Sequence, residues 1–132
     1  MEYNIFVWDM YRSTEAVREN SEKTIEFLGK IAGFALELTS ELPDVTVVGL
    51  GDGQMITVST SSPNIDMLPR IADDIIRYAD SLSRAFPDYQ IRGVLSTGEL
   101  AETPIGLTGK VLWDINSEME QVEPGTIYPP LS

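Results

Sequence analysis

Residues Tyr3 to Trp8 form an apolar and aromatic run broken only by Asn4 and closed by Asp9, the pattern of a strand buried on both faces. Between about Thr14 and Leu42 the positions Leu28, Ile31, Ala35, Leu38 and Leu42 recur in steps of three and four, which predicts a helix ended by Pro43. The polar stretch from Arg18 to Lys23 leaves open whether a short first helix breaks from a longer second one. Two β-rich runs follow, VTVVGL and QMITVST, joined through Gly51-Asp52-Gly53, and Asp-Gly between such runs is a strong hairpin signal. A second helix is expected from a cap at Asp66, with Leu68, Ile71, Ile75, Tyr78 and Leu82 on one face until Pro87. Pro69 fits because the first helical turn needs no amide there.

Tyr89 to Ser96 reads as a fourth strand, Gly98 to Gly109 as a loop, and Lys110 to Glu120 as a short helix. Pro124-Gly125 turns the chain into a last extended piece, Thr126 to Tyr128, which Pro129-Pro130 confines to a sheet edge. The order β-α-β-β-α-β, with a short helix and edge strand appended, is the split βαβ arrangement, so the predicted class is α+β with a ferredoxin-like core and an antiparallel sheet. The 132 residues fit one domain, 1–132, large enough to fold around its own core.

Composition narrows the chemistry more than the fold. Neither cysteine nor histidine occurs, which excludes disulfides, Cys/His zinc sites, thiol nucleophiles and a Ser-His-Asp triad. A metal would have to be held by oxygen, which suits Mg²⁺, Mn²⁺ or Ca²⁺. Twenty-one acidic against nine basic residues, a formal charge of −12, disfavour nucleic acid and anionic membrane as partners. No apolar run approaches the ~20 residues of a membrane span and the first residues lack a basic signal segment, so a cytoplasmic location is expected.

The one arrangement with chemical content is the pair Asp9 and Asp52. In a βαββαβ sheet the end of strand one and the first hairpin share an edge, which should bring the two carboxylates together. Like charges so placed repel, and a divalent cation is the usual remedy. The plain alternative for Asp52 is that a tight hairpin selects Asp-Gly regardless of function. Glu15, Glu19 and Glu22 read as a solvated helix face, and Glu99 and Glu102 are carried to the opposite sheet edge.

Four segments, in order along nearly the whole chain, resemble motifs of the class III adenylate and guanylate cyclase homology domain. FVWDMYRST is similar to that family's "hydrophobic-x-Asp-Ile-x-Gly-Phe-Thr" opening, and VVGLGDGQMITVS to its Gly-Asp hairpin. IRGVLSTGEL is similar to its "hydrophobic, charged, Gly-hydrophobic, x, x-Gly-Glu" strand, and VEPGTIYPP to its late "Pro-Gly-x-Ile" strand.

The resemblance implies that Asp9 and Asp52 hold two Mg²⁺ or Mn²⁺ ions, that the Met10 carbonyl adds a ligand, and that Arg12, Ser13, Thr14 and Gly51 lie near the phosphates of a purine nucleoside triphosphate. It also implies a 3′,5′-cyclic nucleotide as product and a homodimer as the assembly. Arg12 stands where the family has glycine. Val48 stands at the base-reading position, where a valine neither donates nor accepts a hydrogen bond and so sets no base preference. Trp113 and Ser117 fall at the family's catalytic Asn and Arg positions, with Asn116 one step from the latter. These departures keep a second reading open, a catalytically inactive cyclase-like domain that binds nucleotide or a partner protein as a regulator. A third is an unrelated ferredoxin-like domain, since this fold hosts many functions.

Overall fold

The computed structural model describes residues 1–131. The chain forms β1 (Glu2–Met10), α1 (Ser13–Glu19), α2 (Ser21–Thr39), β2 (Val45–Gly49), β3 (Gly53–Ser59), α3 (Met67–Ser81) and β4 (Ile91–Glu99). It continues with β5 (Ala101–Thr103), β6 (Gly106–Thr108), α4 (Lys110–Met119) and β7 (Ile127–Tyr128). The main sheet has the order β2-β3-β1-β4-β7, antiparallel except where β7 joins β4 in parallel. This is the α+β, ferredoxin-like arrangement the residue pattern predicts, with the short helix and edge strand in place.

The central position of β1 explains its apolar run. Alternating side chains point to opposite faces, so Phe6, Trp8 and Met10 join the core under α2 and α3, while Ile5 and Val7 join a second core covered by α4. Every one of these five is at most 5 % exposed. The indole of Trp8 donates to the side-chain oxygen of Gln54 at 3.0 Å, and no buried side-chain polar atom among the described residues lacks a partner.

The polar stretch after Arg18 does break the helix. Asn20 is extended (φ −159°, ψ 92°), and its side-chain oxygen accepts the Lys23 amide at 3.0 Å, so it caps α2 while its own N–H closes α1. Two other expectations are corrected. Asp66 precedes α3 but its carboxylate makes no capping bond: the Leu68 amide already donates to the Ile65 carbonyl, and Pro69 beside it has no N–H to give. The segment 98–109 is not a loop: β4 runs on to Glu99, and β5 and β6 form a hairpin turned at Pro104-Ile105, after which Gly106 has a φ of 105° that suits glycine.

Phe27 on α2 is fully buried, with ring centroids 5.3 Å from Phe86 and 5.4 Å from Tyr89. Phe27→Ala should cost about 3–5 kcal/mol, read as a lower denaturant midpoint at an unchanged slope. No helix among the described residues is long and apolar enough to cross a membrane.

Candidate functional site

Sheet register builds the site. Asp9 lies opposite Gly53 on β3 and opposite Arg92 on β4, so the end of β1 sits between the first hairpin and the start of the fourth strand. The Met10 amide donates to the Asp52 carbonyl at 2.9 Å, which ties the hairpin tip to the residue after Asp9. Gly51, at φ 87°, makes the turn that presents Asp52. The Ser13 hydroxyl donates to the Asp52 carboxylate at 2.9 Å. The fold thus gathers Asp9, Met10, Ser13 and Asp52 at one sheet edge, and Thr14 and Gly51 line a groove of about 460 Å³ with Ser13 and Asp52.

Arg92 is the residue that sequence reasoning passed over. Its Nε donates to the Asp9 carboxylate at 3.0 Å, with the two side chains 18 % and 24 % exposed, so this pair is largely out of water. Strand register gives the only signal for it, since Arg92 is the cross-strand partner of Asp9. Tyr11 packs next to it: the Arg92 guanidinium is 5.5 Å from the Tyr11 ring centre and that of Arg12 is 5.2 Å away. Arg12 adopts the left-handed conformation (φ 54°, ψ 43°), which accounts for glycine being the residue expected there. Its side chain lines a separate cavity with Tyr11, Glu15 and Glu19, apart from the groove beside Asp52.

Val48 is also separated from that groove. It is half-exposed on the edge strand β2 and opens into a cavity of about 250 Å³ that includes Val7, Met55, Leu112, Ile115 and Asn116. On α4, Trp113 is 66 % exposed and Ser117 exposed, so neither belongs to the core. Glu99 lies at the far end of the sheet, opposite Glu2, and pairs with the amino terminus at 2.8 Å.

Burial is the main influence on Asp9 and holds its pKa above the usual 3.8, opposed by the hydrogen bond and charge of Arg92 and reinforced by the charge of Asp52. An acid whose pKa is higher folded than unfolded favours folding when protonated. That contribution is complete below the unfolded pKa and disappears as pH rises through the folded one. In metal-free buffer, stability should therefore fall across that window in the wild type, and the Asp9→Asn variant should lack this part of the pH profile. Paired denaturation series on the acidic side of neutrality measure the difference.

All the donors here are oxygen: two carboxylates, with the Met10 carbonyl next in the chain. No group of three or more Asp, Glu, His or Cys side chains that could hold a metal occurs among the described residues. Asp9 already has Arg92 as a counter-ion and Asp52 accepts from Ser13, and the oxygen-only donor set is of the kind that suits a hard divalent cation.

No protein-family model matches the chain, and no curated protein matches it. Solved structures do. One is the monomeric guanylyl cyclase domain of the RhoGC fusion protein of the aquatic fungus Blastocladiella emersonii, with a TM-score of 0.78 at 18 % identity over 96 % of this chain and 78 % of that one. A second is the catalytic core of a rhodopsin-guanylyl cyclase with converted specificity in complex with ATPαS, with a TM-score of 0.76 at 19 % identity over 96 % of this chain and 75 % of the other. A third is the adenylyl cyclase CyaB of P. aeruginosa, with a TM-score of 0.70 at 16 % identity over 96 % and 74 %. At such identities the likeness is one of fold.

Proposed function

Starting from a chain that carries the fold of class III nucleotide cyclase catalytic domains, we propose that it binds a purine nucleoside triphosphate with Mg²⁺ or Mn²⁺ at Asp9 and Asp52 and converts it to a 3′,5′-cyclic nucleotide and pyrophosphate. The observation that carries this reading is the 2.9 Å bond from the Met10 amide to the Asp52 carbonyl, which holds the hairpin tip bearing Asp52 against the end of the strand bearing Asp9.

Asp9, Asp52 and the Met10 carbonyl are the groups that would hold the metal. When bound, the metal supplies charge neutralisation for the triphosphate and lowers the pKa of a coordinated hydroxyl. Ser13 orients the Asp52 carboxylate through its 2.9 Å hydrogen bond. Arg92 opposes the effect of burial on Asp9 through its hydrogen bond and charge, and Arg18 adds a second cation along the neighbouring groove, where phosphate oxygens would accept from it. The groove beside Ser13, Thr14, Gly51 and Asp52 gives the phosphates room. Val48, Leu50, Ile105 and Trp113 leave apolar surface exposed by 41–90 %, which suits a homodimer.

The test is incubation with each nucleoside triphosphate and Mn²⁺, with products resolved by mass and binding followed in parallel. Cyclic nucleotide and pyrophosphate in equal amounts support the reading. Tight Mn²⁺-dependent binding without product would assign the chain to the silent, regulatory alternative, and absence of both would sink the proposal.

A further inference from the structure

The two carboxylates of the site are held differently. Asp52 accepts its one bond from a neutral group, the Ser13 hydroxyl at 2.9 Å. Asp9 already faces a full positive charge, the Arg92 guanidinium, whose Nε donates to it at 3.0 Å. Both members of that pair are largely out of water, so solvent screens it little. A divalent cation arriving at Asp9 therefore meets an occupied carboxylate oxygen with a like charge directly behind it. Yet the hold on Asp9 is a single bond. The terminal nitrogens of Arg92 make no bond to Asp9, so the two-bond fork of the tightest arginine–carboxylate pairs is absent. Those nitrogens bond to no other described residue, and because no buried side-chain polar atom there lacks a partner, they reach solvent. Letting go of Asp9 thus breaks no second contact of this kind. The Tyr11 ring, with its centre 5.5 Å from the guanidinium, is a face on which the released cation can rest.

We infer that Arg92 is a resident counter-ion that a metal must displace from Asp9, and that it thereby lowers the affinity of the empty site for free cation. The inference rests on the function proposed above, in taking Asp9 as a metal ligand. An arginine beside a carboxylate weakens its hold on a proton by about 10- to 1000-fold. The same field acts on a metal ion, and more strongly on two charges than on one. While no metal is bound, the pair spares the fold a partly buried carboxylate without a counter-ion. Metal binding has to undo that pairing first.

Calorimetric titration of the metal-free full chain with Mn²⁺, in the absence of nucleotide, tests this. Wild type is compared with Arg92→Gln, which removes the charge and keeps a polar side chain, and with Arg92→Lys, which keeps the charge. Arg92→Gln should bind Mn²⁺ at least about tenfold more tightly, while its metal-free form unfolds at a lower temperature. A residue that merely supported the strand would weaken both. Arg92→Lys should stay near wild type in affinity. In the wild type, the Arg92 Nε–H resonance, identified by its loss in Arg92→Lys, should shift and exchange faster with water as Mg²⁺ saturates. That signal reads the displacement even if Arg92→Gln fails to fold. Three results overturn the inference and leave the proposed function standing: Arg92→Gln binding no more tightly than wild type, Arg92→Lys binding as tightly as Arg92→Gln, or an Nε–H signal unaltered at saturating Mg²⁺. If neither wild type nor Arg92→Gln binds Mn²⁺, the metal reading of Asp9 fails and the inference fails with it.

Discussion

Asp9→Ala and Asp52→Ala should each weaken Mn²⁺ binding by at least about 100-fold, since loss of groups that merely orient a metal ligand already costs 10–100-fold. The two variants should differ in everything else. Asp52 sits at a hairpin tip and its carboxylate accepts one bond, from the Ser13 hydroxyl. Its removal leaves a hydroxyl that water can satisfy, and stability should change by no more than about 0.5 kcal/mol. Asp9 is the partner of Arg92, a guanidinium only 18 % exposed, and removing it strands that charge. The cost of an unpaired, mostly buried cation opposes the relief of a desolvated carboxylate, so Asp9→Ala should shift the unfolding midpoint where Asp52→Ala does not. Calorimetric Mn²⁺ titration of the metal-free proteins, with thermal unfolding of the same samples, reads both. Unaltered Mn²⁺ affinity in both variants would leave Asp52 as a turn residue and no more.

Gly53→Ala should be the most damaging single substitution near the site. A Cβ built there meets the Trp8 carbonyl oxygen at 1.8 Å and the Asp9 Cα at 2.8 Å, both main-chain atoms that no side-chain rotation can move. The only escape is to part β1 from β3 where Asp9 faces Gly53, which lengthens the bond from the Met10 amide to the Asp52 carbonyl. A loss above about 3 kcal/mol is expected, at the upper end of what single substitutions do. Mn²⁺ affinity should fall together with stability, because the same register holds both carboxylates. Gly49→Ala, whose Cβ would meet nothing within 4 Å, is the control that should leave both unchanged.

How legible the site was depends on how far apart its parts lie in the chain. Asp9 could be read as the end of a buried strand and Asp52 as a hairpin tip, because strand ends and tight turns are written over a few neighbouring residues. Once the βαββαβ order is accepted, their meeting follows from topology. Arg92 could not be read in the same way. It is 83 residues from Asp9, and nothing local to IRGVL says which residue of β1 it will face. The hairpin of β5 and β6 was hidden for a related reason: two strands of three residues carry too few alternating positions to separate from a loop rich in glycine.

The sequence by itself determined the βαββαβ order of the core, its ferredoxin-like class and the oxygen-only donor chemistry. Period, turn residues and the absence of histidine and cysteine act locally or by composition. Only the tertiary structure decided that Asp9 carries a guanidinium partner, that the Arg12 side chain turns away from the Asp52 groove, and that Val48 opens into an apolar compartment on the face of Asp9. Those are consequences of cross-strand register and of how α4 lies against the sheet. One residue of slip would send every side chain of β1 to the other face.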